Sequence, residues 1–178
     1  KNGFHGDPEQ GGKRREKENP PAVLAMRPAL SESQEKMEEK ARKVTALRDR
    51  LIEGLSRIPH AVLNGDRESR LPGNVNFSFE GIEGESLLLL LDDKGICASS
   101  GSACTSGSLD PSHVLLAIGR PHELAHGSLR LTLDEENTEE EVDYMIRTVG
   151  EVVEYLRSIS PLWRDLQSGK LPFMTKEA

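Results

Sequence analysis

The sequence predicts an α+β fold in which a small sheet is covered by two long and two short helices. Two stretches, 74–79 and 127–133, alternate strictly between apolar and polar residues, which is typical of half-buried strands. Two longer stretches, around 31–57 and after Thr138, repeat apolar residues every three or four positions and predict amphipathic helices. The 178 residues are enough for one ordinary domain with loose ends.

The N-terminal part is expected to lack a core. The first 28 residues are rich in Gly, Pro and charge and have no apolar period, so we expect a linker there. Near Ser31 apolar residues begin to recur at helical spacing and predict the first long helix. This helix is expected to end near Arg57, because Pro59 cannot continue it.

Two strands and a short helix are predicted next. Residues 61–63 are apolar and are followed by an Asn-Gly turn signal, which indicates a short strand. The alternation at 74–79 places one set of side chains on a buried face, namely Val75, Phe77 and Phe79. A mostly buried helix is expected at 85–93, with Gly95 suited to a left-handed C-terminal cap.

The middle of the chain combines a brief strand, a loop and a helix start. Gly95 to Ala98 predicts the strand, and Cys97 within it is expected to belong to the core. Ser99 to Gly107 consists of small residues around one thiol, so it cannot pack a core and we expect a mobile loop. Asp110 and Pro111 predict the N-cap and first turn of a short helix.

The last third predicts a strand and the second long helix. The strand at 127–133 places its leucines on one face and its polar residues on the other, namely Ser128, Arg130 and Thr132. Thr138 and Glu141 predict a capping box at the start of the helix. After Trp163 the apolar period is lost. We therefore predict a linker at 1–28, a small domain at 29–165 and a frayed tail at 166–178.

Charge and composition exclude several classes of protein. The net charge is −7, and the basic cluster at 13–15 is flanked by acids, so no nucleic-acid partner is expected. The longest apolar run, 87–91, is far too short to span a bilayer, and no secretory signal is present, so no membrane association is expected. Two cysteines make no disulfide framework, which favours the cytoplasm. Because the first residue is Lys1, we expect a piece of a longer chain.

Cys104 is the strongest candidate for a reactive residue. It lies between Gly101 and Gly107, upstream of the predicted helix start, where backbone N–H groups would favour a thiolate. Free cysteines are more often buried apolar fillers, but the small polar neighbours of Cys104 argue against burial. Its spacing from Cys97 matches no common zinc motif, so we expect no metal site.

Arg130 is the second candidate. In the middle of a strand, on its polar side, it offers a rigid two-pronged donor for a carboxylate or a phosphate. Pairing with a nearby acid for stability is an equally good interpretation of the sequence. His113, His122 and His126 are single histidines in the sequence and are more typical of structural roles.

Several motifs of the chain occur together in one known family. The densest is SSGSACTSG at 99–107, and the others are LPGNVNFSF at 71–79, EGESL at 83–87, SHVL at 112–115 and HGSLR at 126–130. Together they resemble the C-terminal part of cysteine desulfurases of the NifS/IscS family. The similarity runs from about His5 to Trp163.

The resemblance implies the small C-terminal domain of a pyridoxal-phosphate enzyme of fold type I, working as a homodimer. It implies a reaction that converts L-cysteine to L-alanine and leaves a persulfide on Cys104. In that role Arg130 would hold the substrate carboxylate, and an iron–sulfur scaffold protein would accept the sulfur.

The chain also departs from the family pattern. The cofactor lysine of a Ser-x-His-Lys stretch has no counterpart, so this chain alone is not expected to bind pyridoxal phosphate through a lysine. Lys17 stands where the family has a threonine that reaches the cofactor phosphate, so that role is not carried over. Arg120 and Asp134 replace an apolar residue and a glycine, and both are expected at the surface.

Three interpretations of function stay open on the sequence. The chain can be the C-terminal part of a desulfurase that needs its missing large domain. It can also be a stand-alone persulfide carrier or docking module that receives sulfur from another enzyme. The third is an inactive fragment, which the altered segment around Lys17 favours.

Overall fold

A computed structural model describes residues 20–100 and 111–175 of the chain. The chain divides into two compact units, Lys1–Glu39 and Lys40–Ala178. The elements, in chain order, are α1 (Pro20–Glu35), α2 (Met37–Leu55), β1 (Ala61–Leu63), β2 (Asn74–Phe79), α3 (Gly84–Asp93), α4 (His113–Ala117), α5 (His122–His126), β3 (Ser128–Thr132), α6 (Glu139–Ile159) and α7 (Pro161–Gln167). The α+β fold is confirmed, with seven helices in the described residues rather than four.

The first unit differs from the predicted linker. Residues 20–28 are helical, because the Pro20-Pro21 pair is well suited to the first turn of a helix, where a missing N–H costs nothing. The long helix predicted from Ser31 is instead divided between α1 and α2, with Lys36 in a turn between them. Every residue of α1 is exposed.

The second unit is built on a three-stranded antiparallel sheet in the order β1-β2-β3. The predicted strand faces are confirmed, since Val75, Phe77 and Phe79 are all at most 1% exposed. Their partners on β3 bring Leu129 and Leu131 to the same face. This apolar face packs against the core, and the opposite face of the sheet carries the polar side chains.

Helices α2, α3 and α6 contribute most of the remaining core residues. The two long helices approach closely where Gly54 lies against Ile146, since a Cβ on Gly54 would come within 2.4 Å of the isoleucine Cδ1. The predicted capping box of Thr138 and Glu141 is present at the start of α6. Gly95 has φ +75°, which confirms the left-handed cap predicted after α3.

Two predictions for the middle of the chain are wrong. The segment 95–98 is not a strand, although Ser99 makes an isolated bridge with Arg130. Cys97 is exposed rather than part of the core. Ile96 is 5% exposed and fills the core position. Successive side chains of an extended chain point to opposite sides, so the side chain of Cys97 points away from the core.

The short helices also differ from expectation. Helix α4 begins after Ser112, two residues beyond the predicted start, and Asp110 itself lies outside the described residues. Helix α5 was not predicted, since five residues are too few to show an apolar period. In the part of the chain that the structure describes, no helix is long and apolar enough to cross a membrane.

The predicted fraying after residue 166 is not seen as far as Thr175, and residues 176–178 lie outside the described residues. Thr175 is only 9% exposed, and Phe173 stacks on His60 with ring centroids 3.9 Å apart. The two stacked rings are more than a hundred positions apart in the chain, so no local pattern could show this contact. The predicted boundary of the small domain at 29 stays a prediction.

Candidate functional site

Arg130 lies in the middle of β3 on the polar face of the sheet, and its side chain is exposed. No carboxylate of residues 20–100 and 111–175 lies within ion-pair distance of its guanidinium. Its one side-chain hydrogen bond in this part of the chain goes to the Ser99 hydroxyl, at 3.4 Å. The interpretation that Arg130 merely pairs with a nearby acid therefore finds no partner among the described residues.

Ser99 ties the following segment to the strand of Arg130. The Arg130 N–H donates to the Ser99 carbonyl at 2.6 Å, and the Ser99 N–H donates back to the Arg130 carbonyl at 3.0 Å. Such an exchange is an antiparallel pair, in which the two side chains lie on the same face. Ser99, five residues before Cys104 in the sequence, therefore lies directly beside Arg130.

The start of α3 lies close to Ser100 and to the backbone that precedes Arg130. A Cβ on Gly84 would come within 2.8 Å of the His126 carbonyl oxygen and 3.4 Å of the Ser100 Cβ. Gly127 is equally constrained, because a Cβ there would come within 2.2 Å of the Phe79 carbonyl oxygen. Only glycine fits at these two positions, and both pack the backbone next to Arg130.

A hydrogen-bonded network lies on the polar face beside Arg130. Asn76 is the cross-strand partner of Arg130. The Asn64 amide nitrogen donates to Asn76 Oδ1 at 2.8 Å and to Ser78 Oγ at 2.9 Å. Arg120 Nε donates to Asn64 Oδ1 at 2.7 Å, and its Nη2 donates to the Leu63 carbonyl at 2.7 Å. Arg120, which was expected at the surface, is half-buried, and its guanidinium is engaged by the sheet.

The other candidates are only partly placed. Cys104 and Lys17 lie outside the described residues. Helix α4 begins nine positions beyond Cys104 and has five residues, so it gives no support to the thiolate stabilisation expected from a nearby helix start. Asp134 is exposed, as expected. His122 and His126 contact each other edge to face at 4.7 Å, and His113 is exposed at the start of α4.

The described residues do not provide a lysine that fits pyridoxal phosphate near Arg130. Each lysine in this part of the chain contacts an acidic residue, through either the carboxylate or the backbone carbonyl of that residue. The pairs are Lys36 with Glu32, Lys40 and Lys43 with Glu135, Lys94 with Asp93, and Lys170 with Asp165. Within the same residues, no group of three His, Cys, Asp or Glu side chains could hold a metal ion.

Comparison with known proteins identifies the family. The class-V aminotransferase family model matches residues 11–145, and the chain belongs to this family. Its relatives include the cysteine desulfurase IscS of Clostridium botulinum, 51% identical over 170 residues, and that of Methanosarcina thermophila, 52% identical over 159 residues. The cysteine desulfurase NifS of Azotobacter vinelandii is 46% identical over 161 residues. The resemblance to NifS/IscS cysteine desulfurases is thereby confirmed.

Solved structures agree with this assignment. A NifS-like protein matches with a TM-score of 0.69 and 32% identity over 85% of this chain and 38% of its own. A NifS-like protein from Rickettsia africae has the same TM-score at 24% identity over 84% of this chain and 39% of its own, which supports the fold alone.

The three curated relatives above are much longer than the matched region. The alignments cover 94%, 89% and 90% of this chain but only 43%, 39% and 40% of the respective relatives. The chain therefore spans about two fifths of their length.

Proposed function

We propose that this chain is the C-terminal, sulfur-accepting part of a cysteine desulfurase, in which Arg130 binds the carboxylate of L-cysteine and Cys104 takes its sulfur. The observation that carries the proposal is the exposed Arg130 guanidinium beside Ser99, the residue from which the segment of Cys104 departs. The names of the relatives support the reaction.

Arg130 is suited to orient an amino acid. Its guanidinium is planar and always charged, and it can donate two parallel hydrogen bonds to a carboxylate. The reciprocal backbone bonds with Ser99 fix the strand position from which the side chain projects. Because no acid among the described residues pairs with the guanidinium, a substrate carboxylate would displace no carboxylate of this part of the chain, and the only described side-chain partner at the site is the Ser99 hydroxyl.

We propose that the Cys104 thiol can reach a substrate held by Arg130. It is five residues beyond Ser99, and five extended residues span at most about 18 Å. In the overall reaction the thiol of Cys104 and L-cysteine give a persulfide and L-alanine. The C–S bond of the substrate breaks, an S–S bond forms on Cys104, and the freed carbon gains a proton. Pyridoxal phosphate supplies the electron sink for this chemistry in the complete protein, and no lysine among the described residues fits it.

The remaining parts of the proposal concern the complete protein. We propose that it acts in the cytoplasm as a homodimer and passes the persulfide sulfur to an iron–sulfur scaffold protein. The names of the relatives support the cysteine desulfurase reaction, and the location, the homodimer and the sulfur acceptor are what the resemblance to that family implies.

The test uses the complete protein that contains this chain. Cys104→Ser should abolish the release of sulfide from L-cysteine and leave the visible absorbance of the cofactor unchanged, whereas Cys97→Ser should retain activity. Sulfide production by the Cys104→Ser protein at the unmodified rate would contradict the proposal.

Intact-mass measurement of the 178-residue chain, incubated with an active sulfur-donor enzyme, distinguishes the alternatives. A stand-alone carrier would show no turnover of L-cysteine, yet its intact mass would rise by one sulfur atom on Cys104 beside an active donor enzyme. An inactive fragment would show neither the turnover nor the added mass.

A further inference from the structure

The polar network beside Arg130 has a fixed direction of hydrogen bonding. An arginine side chain can only donate, so the bond from Arg120 Nε identifies its acceptor as the oxygen of the Asn64 amide. The other branch of that amide is then the NH₂ group. It donates one hydrogen to Asn76 and the other to Ser78, which uses both of its protons.

Asn64 has no freedom to turn. It is 5% exposed, its backbone N–H donates to the Asn76 carbonyl at 2.8 Å, and its own carbonyl accepts from Arg70 Nη2 at 2.9 Å. Every polar group of this residue therefore has a partner. A flipped Asn64 amide would bring its NH₂ group against the Arg120 guanidinium, which has no acceptor.

The direction is passed on to Asn76. Because Asn76 Oδ1 accepts from Asn64, the free branch of the Asn76 amide is its NH₂ group. This group donates to no acceptor in the described part of the chain, although Asn76 is half-buried. Asn76 and Arg130 are direct partners across β2 and β3, so their Cβ atoms lie about 5 Å apart on one face.

We infer that Asn76 is a second carboxylate-binding residue beside Arg130, and that Arg120 is a positioning residue that acts through Asn64 to present the Asn76 NH₂ group. This inference rests on the proposed function, since it assigns a further residue to the same substrate. An amide NH₂ group and a guanidinium on adjacent strands can both donate hydrogen bonds to one carboxylate. A carboxylate needs several such donors to replace the water molecules that it binds in solution.

The inference also gives Arg120 a function. Without an obligatory donor at this position, the Asn64 amide could adopt either orientation, and Asn76 could present oxygen to the ligand. A carboxylate next to an amide oxygen is repelled. Arg120 removes that second state, so the site is prepared for an anion before the substrate arrives.

The first experiment measures L-cysteine turnover by the complete protein. Asn76→Ala should raise KM by about tenfold, because a hydrogen bond to a charged group is lost, and should change kcat less than twofold. The control is Asn74→Ala, on the same face of the same strand but opposite Thr132. It should change neither constant by more than about twofold.

The positioning role is tested by a pair of substitutions at Arg120. Arg120→Leu should raise KM severalfold without a matching fall in kcat, and Arg120→Lys should recover most of the loss, because lysine can also only donate. A purely structural role would lower the yield of folded protein and leave the KM of the folded fraction unchanged.

The second experiment does not depend on turnover. The side-chain amide resonances of Asn76 in the 178-residue chain are followed by NMR during titration with L-alanine, and with ethylamine as the matched amine without a carboxylate. We expect a shift with L-alanine, none with ethylamine, and no shift with L-alanine in the Arg130→Ala chain.

The outcomes separate the two claims. Failure of L-alanine to shift Asn76, or an Asn76→Ala enzyme that keeps the KM of its parent, would overturn the inference and leave the proposed function standing. A complete protein that does not turn over L-cysteine, combined with the expected shift, would overturn the proposed function and retain the carboxylate site.

Discussion

The buried carboxylate of Glu80 accepts two hydrogen bonds from Thr175, one from its backbone N–H at 3.1 Å and one from its hydroxyl at 2.6 Å. The N–H of Met174 donates to the other carboxylate oxygen at 2.7 Å. The Thr175 hydroxyl gives its only proton to Glu80. The Thr175 hydroxyl oxygen also lies 2.8 Å from His60 Nδ1, so His60 must be the donor in that contact. These hydrogen bonds hold the last described residues against Glu80, which directly follows β2, and His60, which directly precedes β1.

Glu80→Gln should therefore loosen the C-terminal segment. Glutamine has one acceptor oxygen where the carboxylate has two, so at least one of the three donors loses its acceptor in a buried site. We expect a loss of about 2 kcal/mol in the free energy of unfolding. Hydrogen exchange should show faster exchange at the amides of Met174 and Thr175.

Glu151→Gln is the matched control, because this carboxylate is exposed on α6. It should leave both the urea midpoint and the exchange at the two amides unchanged within error. Unaltered protection of the Thr175 amide in the Glu80→Gln protein would show that the carboxylate does not hold the segment.

The contacts of Glu80 explain why the sequence predicted a frayed tail. Glu80 lies 95 positions before Thr175 in the chain, and His60 lies 115 positions before it. Periodicity reports only the face that a local element buries, and residues 168–175 form no helix or strand. Their order comes from a polar site and an aromatic contact that a local pattern cannot record.

The elements that were predicted correctly have strong local signals. The alternation of β2 and β3 and the capping box of α6 each depend on residues two or three positions apart. The candidate site is a mixed case. Arg130 could be placed on a polar strand face from alternation alone, whereas Asn76 and Arg120 required the pairing of distant strands and turns.

Cys97 shows the limit of interpreting an apolar run. Its neighbours Ile96 and Ala98 indicated a buried strand, but only one side of this extended segment faces the core. We expect Cys97 in the folded Cys104→Ser chain to react with a maleimide at a rate within about tenfold of the unfolded chain, because its side chain is exposed. Intact-mass measurement would show one adduct, and protection of Cys97 until urea is added would contradict its exposure.

Alanine at two glycine positions should change the free energy of unfolding in opposite directions. Gly127→Ala should destabilise the fold by about 3 kcal/mol, because the added Cβ would come within 2.2 Å of the Phe79 carbonyl oxygen, a backbone atom. Gly150→Ala lies within α6 and meets nothing within 4 Å. It should stabilise the fold by about 0.5–1 kcal/mol through helix propensity alone.

Urea unfolding of the two glycine variants measures both effects on the same chain. A similar urea midpoint for the two variants would show that the backbone beside Arg130 can move aside. That result would weaken the account of how the strand is held.

An ion pair between the two long helices should make the stability of the fold depend on pH. Arg50 on α2 donates two hydrogen bonds to Asp143 on α6, both at 2.7 Å. This bond to Arg50, together with its positive charge, holds the pKa of Asp143 below the ordinary value of an aspartate. A carboxylate with a lowered pKa in the folded state stabilises the fold above its unfolded pKa, and that contribution is lost as pH falls through the folded pKa.

Asp143→Asn should therefore lower the urea midpoint at pH 7, and the difference from the parent chain should shrink as pH falls below about 4. Arg50 keeps a contact with Glu139 at 3.3 Å, so the loss should be partial. Glu154→Gln, an exposed carboxylate on the same helix, should change neither the midpoint nor its dependence on pH. A difference between the Asp143→Asn and parent chains that stays constant from pH 7 to 3 would mean that the bond to Arg50 does not favour the ionised carboxylate in solution.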